Sequence, residues 1–266
     1  MSTDSLPHQT VFIVSTGRTA TKALAHYLHE AWPGVTATHE PWPSRPLRVA
    51  ANMYRSRKIS KKTMTMTLRY ARPSLRHSHA GVHIEASPYL RSCIELLGEA
   101  FGDIRVIHLT RHPETYVRSY INHGVFSGAK GLAGKWIPYW HIKPEHIDSD
   151  SGLRWRTMNS AERIAWRWNA LNSMLDAAAD VYGERYLRIR YEDLFDENSH
   201  GLELISRWIG LEWTEELKRR TSTPLNQSLR QRTPQDDAWS DELQRAVRQF
   251  CGDRMARYGY SLLDQG

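Results

Sequence analysis

The chain has 266 residues, 40% apolar and 24% charged, which excludes a mainly disordered protein and fits one large α/β domain better than two small ones. Its net charge of +7 favours anionic partners. Two cysteines, Cys93 and Cys251, are too few for a disulfide framework and read as buried free thiols on apolar helical faces.

Met1 to Gln9 is short and polar, without the basic start and apolar stretch of a signal peptide. It reads as a disordered N-terminus before a single domain over 10–266. No apolar run approaches the ~20 residues that span a bilayer, so a soluble cytoplasmic protein is expected. Val11 to Val14 reads as a buried strand, and Thr19 to Ala31 as the helix after it. Val35 to Thr38 is a weak second strand. From Pro41 to Ile84 there is no Asp or Glu, and the stretch holds Arg45, Arg48, Arg55, Arg57, Lys58, Lys61, Lys62, Arg69, Arg72 and Arg76. We read 41–81 as a basic helical insertion. It is either a solvated helix face or a surface for an anionic partner, a membrane surface included.

Val82 to Ala86 is a third strand, and Tyr89, Ile94, Leu97 and Phe101 follow at helical spacing. Ile104 to Leu109 is a fourth strand. Pro113 opens the next helix, where its missing N–H is harmless. The glycine-rich stretch 124–158 holds Trp136, Trp140 and Trp155; it is either a lid with sugar-stacking aromatics or an irregular surface loop. Ser160 to Tyr182 is a long amphipathic helix stopped by Gly183, and Leu187 to Tyr191 alternates as a fifth strand. Leu202 to Ile209 and Leu243 to Tyr258 are further helices, the last capped by Ser240. Strands alternating with helices predict a parallel β-sheet flanked by helices, with ligands at the carboxyl ends of the strands.

That rule directs attention to Ser15-Thr16-Gly17-Arg18-Thr19-Ala20-Thr21-Lys22. A tight turn there aims backbone N–H groups at one point, at the positive end of a helix. Thr19 and Thr21 add hydroxyls; Arg18 and Lys22 add cations. The set suits a phosphate. A Walker A pattern is absent, since Ala23 stands where a hydroxyl would hold Mg²⁺.

The segment resembles the 5′-phosphosulfate loop of sulfotransferases that use 3′-phosphoadenosine 5′-phosphosulfate (PAPS), whose fold is similar to that of P-loop nucleotide kinases. A second signature of that family, an Arg at the end of a later strand with a Ser eight residues on, matches Arg111 and Ser119. The resemblance implies that these two bind the 3′-phosphate, while Gly17, Arg18, Thr19, Ala20, Thr21 and Lys22 cradle the 5′-phosphosulfate. Arg190 to Leu194 resembles a structural segment of the family. Leu229 to Pro234, with Trp239 beyond, resembles its late basic loop, which implies nucleotide contacts from Arg230 and Arg232. Ala20 stands where the family usually has Gly, so this position is expected not to need positive φ.

The resemblance implies sulfuryl transfer to a hydroxyl of a glycan, glycolipid or other small acceptor, with PAPS as co-substrate, no metal and no nucleic-acid partner. Arg18 is the expected stabiliser of charge on the leaving phosphate. Glu40, followed by Pro41, matches the base of carbohydrate-type members, at the end of a second strand expected to lie beside the first. His39 is the rival base. Strand alternation is expected to send the two side chains to opposite faces, and the basic surroundings to lower the Glu40 pKa.

Several features have plainer readings. His77, His79 and His83 lack an acid or Cys to complete a metal site before Glu85. Ser87 either lines the site or caps a helix. The competing functional readings are a P-loop kinase and a non-catalytic binder of nucleotide, nucleic acid or membrane surface.

Overall fold

The computed structural model describes residues 8–76, 81–124, 126, 136–147, 152–194, 199–221 and 241–262. Five strands form one sheet: β1 (Gln9–Ser15), β2 (Val35–His39), β3 (Val82–Ala86), β4 (Ile104–Thr110) and β5 (Tyr186–Arg190). The order is β2-β3-β1-β4-β5 and every pairing is parallel. This is the parallel α/β sheet expected from the alternation of strands and helices.

One expectation fails. β2 does not lie beside β1, because β3 pairs with both: Ala86 stands opposite Ile13 on one side and opposite His39 on the other. Strand order is a long-range outcome that no local pattern encodes. The register still brings the ends of β1, β3 and β2 to one level.

Alternation along β1 feeds two cores. Val11 and Ile13 join Leu24 and Leu28 of α1 (Thr21–Ala31) on one face. Phe12 and Val14 face α2 (Ser44–Arg55), α3 (Lys61–Ala71), a 3₁₀ helix (Pro88–Leu96) and α4 (Leu97–Phe101). A strand covered on both faces has no polar side to show, which explains why Val11 to Val14 reads as a continuous apolar run.

A third cluster joins α5 (Pro113–Asn122) to the long helix over Ser160–Tyr182 and to a terminal helix over Asp241–Arg257. With the short helix Gly152–Thr157 as α6, His200–Trp208 as α8 and Glu215–Thr221 as α9, these two are α7 and α10. α7 starts at a capping box: Asn159 Oδ1 accepts from the Glu162 N–H, and Glu162 Oε2 accepts from the Asn159 N–H, both at 2.9 Å. Cys93 and Cys251 are buried free thiols in separate clusters, and burial pushes both well up from the usual thiol range. Ser240 lies outside the described residues.

Candidate active site

β1 ends at Ser15, and the chain turns before α1. The Gly17 N–H donates to Ser15 Oγ at 3.0 Å, which pins the start of the turn. Gly17 has φ +90°, and a Cβ there would stand 2.5 Å from the Tyr120 hydroxyl, so glycine is needed on both counts. Tyr120 and Tyr116, one turn apart on α5, both donate to the Thr16 carbonyl, at 3.0 and 3.4 Å. The turn is thus held from outside as well as by its own residues.

Arg18 and Ala20 also take left-handed backbone, with φ of 57° and 55°. This overturns the expectation for Ala20. The residue type is Ala, but the turn requires the conformation that Gly tolerates better, and the tertiary contacts impose it. Left-handed backbone at a residue with a Cβ costs about 1–2 kcal/mol. The hydroxyls of Thr16 and Thr19 are buried and have no hydrogen-bond partner among the described residues, as is the Ser87 hydroxyl at the end of β3. Ser87 precedes the 3₁₀ helix without capping it through its side chain, and its N–H donates to the Ile13 carbonyl at 3.0 Å. Buried orphan hydroxyls around one turn are what an anion with several acceptor oxygens would satisfy.

Arg111 and Ser119 meet this cradle directly. Arg111 Nη1 donates to the Arg18 carbonyl at 2.7 Å, and Arg18 Nε donates to Ser119 Oγ at 3.2 Å. Arg111 is fixed further by Thr115 Oγ1 at 3.1 Å and by stacking over Tyr191 at 5.0 Å. Burial pushes its pKa down, with Tyr191 and Glu192 opposing and Arg18 adding to the fall. The Arg18 side chain therefore points toward Ser119.

His39 ends β2, and Glu40 takes a positive φ of 47°. That break in the strand overturns the alternation argument. Both side chains turn to the same side, with His39 Nε2 3.8 Å from Glu40 Oε1. His39 Nε2 also lies 3.2 Å from Thr21 Oγ1, at the first position of α1. Burial lowers the His39 pKa; Glu40 opposes this and Lys22 adds to it.

The turn after Glu40 is held by Arg72. Its guanidinium pairs with both oxygens of Glu85, at 2.6 and 2.9 Å, and donates to Ser44 Oγ and to the carbonyls of Pro41 and Trp42. Glu85 is 1% exposed; burial raises its pKa and the Arg72 pairing opposes the rise.

Much of the basic stretch is absorbed in this way. Arg55 forks onto Glu95, Lys61 meets Glu99, and Arg69 donates to the carbonyls of Glu99 and Ala100. Arg55 and Lys61 thus pair with carboxylates that lie later in the chain, beyond Ile84. Trp140 stacks on Arg48 at 3.5 Å, and Trp155 packs on Trp166, while Trp136 is 80% exposed.

Among the described residues no group of His, Cys, Asp and Glu could hold a metal ion. His77 and His79 lie outside those residues, as do Arg230, Arg232 and Trp239. No helix among the described residues is long and apolar enough to cross a membrane. The sequence reading missed Tyr116 and Tyr120. Their spacing of four on α5 puts them on one helix face, but apolar packing explains such a pair equally well.

The family model described as "Sulfotransferase family" matches residues 10–215. No curated protein sequence matches the chain. The fold is similar to that of a sulfotransferase domain from the curacin biosynthetic pathway, at 13% identity and a TM-score of 0.53, covering 98% of this chain and 100% of that one. It is also similar to sulfotransferase STF9 from Mycobacterium avium, at 15% identity and a TM-score of 0.52, covering 97% of this chain and 79% of that one. A sulfotransferase from Alicyclobacillus acidocaldarius matches at 16% identity and a TM-score of 0.50, covering 97% and 98%.

Proposed function

The chain belongs to the sulfotransferase family, and on that premise we propose that it moves a sulfuryl group from PAPS to a hydroxyl of a glycan, glycoconjugate or other small acceptor. The observation that carries this reading is the junction of two anion sites, with Arg18 bonded to Ser119 and Arg111 bonded to the Arg18 carbonyl. A ligand with phosphates at both ends of a nucleoside would suit that junction. The unpartnered hydroxyls of Thr16 and Thr19 fit the phosphate end that carries sulfate.

The donor supplies an electrophilic sulfur and a phosphate leaving group. A new bond forms between the acceptor oxygen and sulfur, and the bond from sulfur to the bridging phosphate oxygen breaks. The electron pair goes to that oxygen, giving 3′-phosphoadenosine 5′-phosphate (PAP), and the acceptor proton goes to the base. In this reading the cradle N–H groups and Arg18 would stabilise the charge that this oxygen gains, and Glu40 takes the proton. His39, whose pKa burial lowers, lies between Glu40 and the cradle, its Nε2 3.8 Å from Glu40 Oε1 and 3.2 Å from Thr21 Oγ1 at the start of α1.

Equilibrium binding of PAP in the presence of EDTA tests the donor site. Arg111→Ala is expected to weaken PAP about 10- to 100-fold, the loss of a charge-assisted hydrogen-bonding partner. Unchanged affinity would overturn the assignment. Transfer of labelled sulfate from PAPS to a glycan panel tests the base: Glu40→Ala should lose far more activity than His39→Ala.

A further inference from the structure

Three guanidiniums are buried with no carboxylate hydrogen-bonded to them among the described residues. Arg48 of α2, Arg91 of the 3₁₀ helix and Arg167 of α7 are 8%, 3% and 3% exposed. His141 joins them, its Nδ1 3.4 Å from Arg167 Nη1. Arg48 Nε and Nη2, Arg91 Nε, Arg167 Nε and His141 Nε2 have no hydrogen-bond partner among the described residues. An unpaired buried cation is expensive, and three together repel one another. The effect reaches the proton equilibria: burial and neighbouring cations bring Arg48 and Arg91 down to about 10, with Tyr89 and Glu40 opposing the fall at Arg48, and bring His141 to about 2.

The cluster has a definite place. Arg48 lies over the Tyr89 ring at 4.8 Å, and both Arg48 and the Tyr89 phenol lie in the field of Glu40, the base proposed above. On the other side Arg91 lies in the field of Tyr116 and Tyr120, which hold the cradle through Thr16. The cluster is therefore near Glu40 through Arg48 and near the cradle's supporting tyrosines through Arg91. The donor's two phosphate ends already have the cradle and the Arg111–Ser119 pair.

We propose that Arg48, Arg91, Arg167 and His141 bind a carboxylate, sulfate or phosphate carried by the acceptor beside the hydroxyl that is sulfated. The acceptor assignment rests on the sulfotransferase reading above; the anion site itself rests only on the cluster. A neutral acceptor would leave the three cations unpaired, whereas an anionic one discharges their repulsion as it binds.

Inorganic sulfate is the probe. Protein saturated with PAP, so that the cradle and the Arg111–Ser119 pair are filled, is titrated with sodium sulfate at fixed ionic strength, with chloride as reference. One further sulfate per chain should bind, raising Tm, and Arg48→Gln and Arg167→Gln should each weaken it at least tenfold with PAP affinity unchanged. Sulfate no better than chloride overturns the site, and so does equal binding in the variants, which would mean an adventitious ion only. If PAP itself does not bind, the donor reading has failed, and the same titration on the Arg18→Ala/Arg111→Ala double variant tests the cluster alone. A selective loss of PAPS over PAP in Arg167→Gln would assign the cluster to the sulfuryl group instead and overturn the acceptor assignment. Equal transfer to a uronate glycan and to its carboxyl-reduced form would overturn it as well. Should the glutamine variants not fold, the wild-type titration decides between site and no site.

Discussion

Arg72 and Arg48 are both buried guanidiniums from the same acid-free stretch, yet they have opposite surroundings. Arg72 is saturated: it forks onto Glu85 and donates to backbone carbonyls and to Ser44. Arg48 stacks on two rings and leaves two nitrogens unpartnered among the described residues. The difference separates charge used for folding from charge held ready for a ligand. Glu85 is on β3 and Arg72 follows α3, so their pair joins elements during folding. Around Arg48 stand Arg91 and Arg167, which repel it, and only Tyr89 and Glu40 oppose them, without a hydrogen bond from its guanidinium to a carboxylate among the described residues.

The largest effect should come from breaking the saturated site. Arg72→Ala leaves Glu85 buried without its cation and should lower unfolding free energy by about 3–5 kcal/mol, read by urea denaturation. Arg48→Gln should leave stability nearly unchanged or raise it, because it relieves repulsion. A loss as large as that of Arg72→Ala would erase the distinction.

A smaller effect is expected with pH. His141 is brought down to about 2 by burial and by Arg167, Arg48, Arg91 and Lys143, whereas in the unfolded chain it protonates near about 6.5. The unfolded state then binds the extra proton between those values. Stability present above pH 6.5 should fall as pH drops, by at most about 1.4 kcal/mol per pH unit from this residue. His141→Gln should flatten the slope of the urea midpoint against pH by close to one proton; an unchanged slope would mean the cations do not reach the imidazole.

Ala20→Gly should then gain about 1 kcal/mol by relieving left-handed backbone, measured as a rise in urea midpoint. Smallest of all, Lys61→Met should give no detectable shift, because its pair with Glu99 lies in solvent.

The sheet was legible in the sequence because a strand buried on both faces leaves a continuous apolar run, as in β1, and because β3 and β4 carry short β-branched and apolar segments between helical patterns. The meeting of Arg111, Ser119 and Arg18 was foreshadowed by the spacing of Arg111 and Ser119 in the resemblance. The order of strands was not legible, nor were the side-chain directions at His39 and Glu40. Both depend on contacts between distant segments: β3 wedged between β1 and β2, and Arg72 drawing the chain after Glu40 aside. Arg91 and Arg167 gave no signal either. Each sits in an ordinary amphipathic pattern, and nothing local distinguishes an arginine that turns inward from one that meets water.

The interposed β3 has a consequence for scale. Strands in a sheet lie about 4.8 Å apart, so the ends of β1 and β2 stand about 10 Å from each other as backbones, two spacings instead of one. The sheet acts as a fixed gauge between the turn after β1 and Glu40 after β2, the proposed donor and base ends of the site. Direct pairing of β1 and β2 would halve that opening and leave no width for an acceptor. Because backbone hydrogen bonds set the gauge, it is the same for every acceptor. Acceptor preference can then evolve by exchanging side chains at positions such as 48, 91 and 167, without rebuilding the frame that carries the chemistry.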